Sequence, residues 1–162
     1  MKSRVAVVLA ALVLAQSAPA EPYAVGSAIP VIELPDQHGA PHQIDASLRA
    51  VVFSRDMDAG DVVKAAVAKA GADLFERNGA VYVVDVKGMP AVIRSLFAMP
   101  AMRRRPYQVL VDEDGAKTAD FPGGSTRPTV LVLDGLRVTA LKQPTSADEL
   151  IAALEPALAE AP

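Results

Sequence analysis

Val51-Val52-Phe53-Ser54-Arg55-Asp56-Met57-Asp58-Ala59-Gly60-Asp61 runs from an apolar strand through a short polar turn into the start of a helix. Residues 50–54 have the continuous hydrophobicity of a strand covered on both faces. From Asp58 the period changes, and Val62, Val63, Ala66, Val67 and Ala70 fall at helix spacing on one face. Two carboxylates, Asp58 and Asp61, stand at the junction. Asp58 reads as the N-cap, and Asp61 at N3 complements the positive helix end. The functional alternative is a carboxylate pair that holds a cation or a basic group of a partner.

Working outward, residues 29–34 alternate loosely and stop at Pro35-Asp36, and His42-Gln43-Ile44 returns as a second short strand. Residues 80–86, Ala-Val-Tyr-Val-Val-Asp-Val, form the strongest strand signal. Pro90 opens a predicted helix whose inner face would be Val92, Ile93, Leu96 and Phe97. Residues 107–111 read as a strand. Residues 129–133 and 136–141 flank Asp134-Gly135 as a hairpin. Ser146-Ala147-Asp148-Glu149 is a capping box for a last helix that Pro156 should end.

Hairpin, strand, helix, strand, helix, strand, hairpin and helix, in that order, resemble the thioredoxin-like fold in its exported TlpA and peroxiredoxin branch. Gly26-Ser27-Ala28-Ile29-Pro30 with Leu34, Asp36 and Gly39 is similar to the opening motif of those proteins. Arg127-Pro128-Thr129 and the hairpin after it are similar to their cis-proline strand. The cysteine-free YtfJ type has a similar layout. The resemblance implies an α/β three-layer sandwich with a central mixed sheet flanked by helices. It also implies that Asp58 and Asp61 occupy the two places of a Cys-x-x-Cys motif, with Arg127 across from them as a partner for an Arg–Asp tie. The chain contains no cysteine. Thiol–disulfide exchange and thiol peroxidase chemistry need a thiolate and are excluded.

The first twenty residues read as an export signal. Lys2 and Arg4 precede a short apolar stretch, and Ala18-Pro19-Ala20 has the small-x-small form of a cleavage site. No cysteine stands there to carry a lipid anchor. The expectation is a signal peptide at 1–20, a single thioredoxin-like domain at 21–162, and a periplasmic or secreted protein with no stable membrane span after cleavage. Losing Lys2 and Arg4 leaves fourteen basic against nineteen acidic residues, which argues against a nucleic-acid partner. With no disulfide available, stability must come from a core, and 51% hydrophobic content can supply one.

Met57, Met99, Met102, His38 and His42 offer thioether and imidazole groups suited to copper, although methionine is an ordinary core filler. Neither a metal nor another cofactor is assigned. Arg103-Arg104-Arg105 reads as a solvated charge run at a helix end, or a contact for an acidic partner. Gly-x-Ser-x-Gly, His-Glu-x-x-His and phosphate-cradling loops are lacking. Carboxylate-based chemistry at Asp56, Asp58 and Asp61 is the residual enzyme reading, and no catalytic residue is assigned. The leading expectation is a non-redox module that binds a peptide or protein segment of the cell envelope. Its contact face would be Met57, Asp58, Asp61, Thr126, Arg127 and Pro128.

Overall fold

The computed structural model describes residues 21–123 and 126–155, so the signal-peptide reading and Pro156 lie outside the described residues. The strands are β1 (Ile32–Pro35), β2 (Pro41–Ile44), β3 (Ala50–Ser54), β4 (Ala80–Asp85), β5 (Leu110–Asp112), β6 (Thr129–Asp134) and β7 (Arg137–Lys142). Five of them form a mixed sheet in the order β5-β4-β3-β6-β7. β3, β4 and β5 are parallel neighbours, and β6 and β7 complete the sheet antiparallel. β1 and β2 pair as a separate hairpin.

Side-chain alternation divides the core in two. Val52, Tyr82 and Val130 point toward the helices, meeting Val63 and Ala66 of α1 (Met57–Ala70), Leu74 and Phe75 of α2 (Leu74–Arg77), and Leu150 and Leu154 of α5 (Ala147–Leu154). Val51, Phe53, Val81, Val83 and Leu131 point the other way, onto Ile32, Leu34, Ile44 and Phe121. Three layers result: helices, central mixed sheet, and a covering of hairpin and loop. Residues 26–28 clip the outer edge of β7, with Gly26 N donating to Val138 O at 2.8 Å and Val138 N to Ser27 O at 2.9 Å.

Helix α1 begins earlier than its periodicity suggested. Asp56 is the N-cap, its Oδ1 accepting from Ala59 N at 3.0 Å, which places Asp58 inside the first turn. Ser146 caps α5 as expected, but Glu149 reaches back one residue further, to Thr145 N at 2.7 Å. Glu155 is extended at the end of α5 (ψ 108°), as a residue before proline should be.

Two other expectations are corrected. β5 covers only Leu110–Asp112, because the buried Gln37 amide takes the preceding backbone groups: Nε2 donates to Tyr107 O at 2.8 Å and Oε1 accepts from Val109 N at 2.9 Å. The late hairpin turns one residue further on, since Asp134 pairs with Arg137. Its loop is Gly135-Leu136, with Gly135 at φ 58°, the left-handed position that favours glycine.

The largest departure is the segment after Pro90. It is a broken helical arm of α3 (Ala91–Ile93), a π-helical turn (Arg94–Ala98) and α4 (Met99–Arg103). Pro100 lacks the N–H that would bond the Leu96 carbonyl and crowds that carbonyl, so the ladder loosens just upstream. The inner face is built from Ala98, Met99 and Met102. Val92, Ile93, Leu96 and Phe97, expected inside, are 63%, 46%, 64% and 64% exposed.

Candidate functional site

At the carboxyl ends of β3 and β4 the chain leaves the sheet at Arg55 and Val86, and α1 and the helical arm diverge. Between them lies a cleft of about 540 Å³. Met57, Met89, Ile93, Phe97 and Met102 give it apolar walls, and Ser54, Tyr82 and Arg105 add polar groups. Met57, at the tip of the β3–α1 turn, is 73% exposed.

The polar groups of the cleft are mostly committed. Ser54 Oγ and Tyr82 Oη share a buried hydrogen bond of 2.7 Å. Burial pushes the Tyr82 phenol above its ordinary pKa, against the pull of Ser54 and the Arg105 charge. Arg55 Nε binds Asp85 Oδ2 at 3.1 Å, its Nη2 donates to Thr118 O at 2.8 Å, and its guanidinium lies 4.9 Å from the Phe53 ring centre. Asp85 Oδ1 accepts from Lys87 N at 2.9 Å, so this half-buried ion pair ties the β3 turn to the end of β4.

Asp58 and Asp61 are both exposed, and Asp61 pairs with Lys64 one turn along α1. They form an open shelf beside the cleft. Arg127 makes no ion pair with either aspartate among the described residues; its charge is instead felt by Glu149 of α5. The Arg–Asp tie implied by the resemblance is therefore absent, and a local i,i+3 partner serves Asp61. Phe53 pairs with Thr129 in register, so residues 126–128 lie at the same end of the sheet as Met57. Thr126 and Arg127 are exposed there and Pro128 is buried. No cis peptide bond occurs among the described residues, so the Arg127–Pro128 bond is trans where the resemblance implied cis. Trans is the lower-energy form of an X–Pro bond by about 0.5–1 kcal/mol.

Of the copper candidates, Met57 and Met102 share the cleft, Met57 on its rim and Met102 packed in the helix-side core, while His42 is engaged elsewhere, its Nε2 3.1 Å from Asp36 Oδ2 and 3.0 Å from Gln108 Nε2. Among the described residues no group of three or more His, Asp or Glu is placed to hold a metal ion. The arginine run also divides by role. Arg103 Nε donates to Gln37 O at 3.1 Å, Arg104 is exposed, and Arg105 turns its guanidinium to 5.8 Å from the Tyr107 ring centre. Sequence reasoning missed Tyr82 and Arg105 as cleft residues, since neither belongs to a motif and only the fold brings them together.

No family model matches the chain, and no curated protein matches it. Solved structures do. The peroxidoxin BcpB from Mycobacterium tuberculosis aligns over 80% of this chain and 95% of its own, with a TM-score of 0.52 and 24% identity. A thio-disulfide isomerase from Thermus thermophilus aligns over 82% and 95%, with a TM-score of 0.50 and 22% identity. The thioredoxin domain of a thiol-disulfide oxidoreductase from Bacteroides vulgatus aligns over 82% and 96%, with a TM-score of 0.52 and 12% identity. Sheet order, the helix that starts directly after β3, and these alignments agree: the chain has the thioredoxin-like fold, and it has that fold without a cysteine.

Proposed function

We propose that this protein is an exported, non-redox binding module that holds a peptide or protein segment at the sheet end where α1 begins. The observation that carries the reading is the exposed apolar rim. Met57, Ile93 and Phe97 stand in solvent around an open cleft, with Leu96 exposed on the same arm, and clustered exposed hydrophobics of this kind mark interaction sites. Asp58 and Asp61 border the rim, and Thr126 and Arg127 flank it on the β6 side. With Pro128 buried, the 126–128 segment offers its backbone and those two side chains. A partner segment would lay an apolar side chain in the cleft and a basic group against the aspartates. Location in the periplasm or outside the cell rests on residues 1–20.

The test is site-specific photo-crosslinking in the native host. A photoreactive residue replaces Met57, Phe97 or, as the control on the hairpin, Glu33. The same adduct from positions 57 and 97, absent from 33, supports the module. Equal labelling from all three, or none from any, overturns it. Fractionation of the same cells checks the location, which fails if the protein stays in the cytoplasm.

A further inference from the structure

From Val86 to Val111 the chain carries five cations, Lys87, Arg94, Arg103, Arg104 and Arg105, and no carboxylate, although its overall net charge is −3. Among the described residues only Arg94 meets a carboxylate, and it reaches Glu113 Oε2 at the long distance of 3.8 Å. The same segment holds the helical arm with its four exposed apolar side chains. Basic charge and exposed apolar surface thus coincide on one element. Charges are screened beyond about 10 Å at ordinary ionic strength, so a surface touching the arm feels these cations more than the acidic remainder.

The arm is apolar on more than one side. Its inner side, Ala98, Met99 and Met102, packs on the core. Ile93 and Phe97 line the cleft, whereas Val92 and Leu96 stand outside it and are no less exposed. A segment held in the cleft would cover Ile93 and Phe97 and leave Val92 and Leu96 bare. Whatever covers those two must accept a protruding ridge beside a strip of cations. The headgroup region of a bilayer does so, because it encloses an inserted ridge from every side. No described helix is long and apolar enough to cross a membrane, so an arm that is short, basic and apolar lies on a bilayer instead of spanning it.

We propose that the arm docks this protein on a membrane surface carrying anionic lipid headgroups, with Val92 and Leu96 inserted among the headgroups and Lys87 and Arg104 against the lipid phosphates. The inference goes beyond the binding-module reading: it concerns the outer wall of the cleft and leaves the cleft open to its segment at the bilayer surface. Each cation near an anionic bilayer strengthens attachment about fivefold, and inserted apolar side chains add to that.

Co-sedimentation of the chain from Glu21, which contains every described element, would compare two kinds of vesicle: equal parts phosphatidylglycerol and phosphatidylcholine, and phosphatidylcholine alone. Binding to the mixed vesicles should be at least about tenfold tighter, and added salt should narrow the gap. Val92→Ser/Leu96→Ser should weaken binding to the mixed vesicles about tenfold. Lys87→Glu/Arg104→Glu should abolish the preference for them. All four positions are exposed, so both variants should fold. The chain has no tryptophan, so Leu96→Trp gives a direct readout. Lipid with brominated acyl chains should quench it and leave Glu33→Trp, on the opposite face of the sheet, unquenched. Equal binding to both vesicles, a preference that survives Lys87→Glu/Arg104→Glu, or equal quenching at 96 and 33 overturns the proposal. No vesicle binding also overturns it, including where the arm is found against an acidic protein instead. The module is judged apart from this, by its crosslink from Met57, which needs no lipid.

Discussion

Three aspartates within six residues have three different surroundings. Asp56 holds a helix amide, Asp58 faces solvent in the first turn, and Asp61 meets Lys64. Asp56→Ala should cost about 1 kcal/mol in urea unfolding, the usual value of an N-cap. Asp58→Ala should cost less, about 0.3–1 kcal/mol from the helix dipole, and Asp61→Ala less again, as an exposed pair. Equal losses at all three would contradict these assignments. The tyrosines make a second residue-scale prediction. Burial is the leading cause that raises the pKa of Tyr23, Tyr82 and Tyr107, which are all the tyrosines in the chain. A raised folded-state value means that stability held by the neutral phenol is complete below the unfolded pKa of about 10. It is lost as pH rises through the raised values. Phenolate absorbance should therefore develop above pH 10, together with unfolding; a titration midpoint at the free-tyrosine value would refute it.

At the scale of elements, the helical arm and the Gln37 bridge carry the information. Leu96→Ser and Phe97→Ser remove exposed side chains and should change stability by no more than about 0.5 kcal/mol, as surface substitutions do. Met102→Ala, in the core of the same arm, should cost about 2–5 kcal/mol. If the serine variants were as damaging as the alanine variant, the arm would have to pack the other way round. Gln37→Ala leaves the Tyr107 carbonyl and the Val109 amide without their partner, at about 1–3 kcal/mol for each buried group. Hydrogen exchange at the Val109 amide should accelerate before that of β4.

Over the whole molecule, acid should unfold the protein through its depressed carboxyls. Asp36 is held below its usual pKa: burial acts to raise it, but amides from His38 and Ala40 and the His42 ring outweigh that. Hydrogen bonds from Thr145 lower Glu149, and those of Ala116 lower Asp114. A depressed folded pKa gives stability that is full above the unfolded value of about 4 and lost as pH falls through the folded values. Melting temperature should thus hold from neutrality to about pH 5 and drop below pH 4; a flat profile to pH 2 would contradict it. The strands and α1 were legible in the sequence because burial on a sheet face or helix stripe leaves a period. The mixed sheet followed from the order of elements and the resemblance that order carries, and the absence of thiol chemistry from a chain without cysteine. The arm was not legible, because it is apolar on both sides and Pro100 breaks its phase. The cleft was not either, since Ser54, Tyr82 and Arg105 meet only after three separate segments are folded together. The clip of residues 26–28 on β7 has a further consequence. An unpaired strand edge is a template for further chains, and this one is occupied at Val138 by the chain's own early residues. A protein that starts at residue 29 keeps Ile29 in the core and loses the Tyr23 contact on Phe121; it should self-associate through β7, since residues 21–28 act as a guard against aggregation, and light scattering of that truncation against the longer chain would measure it.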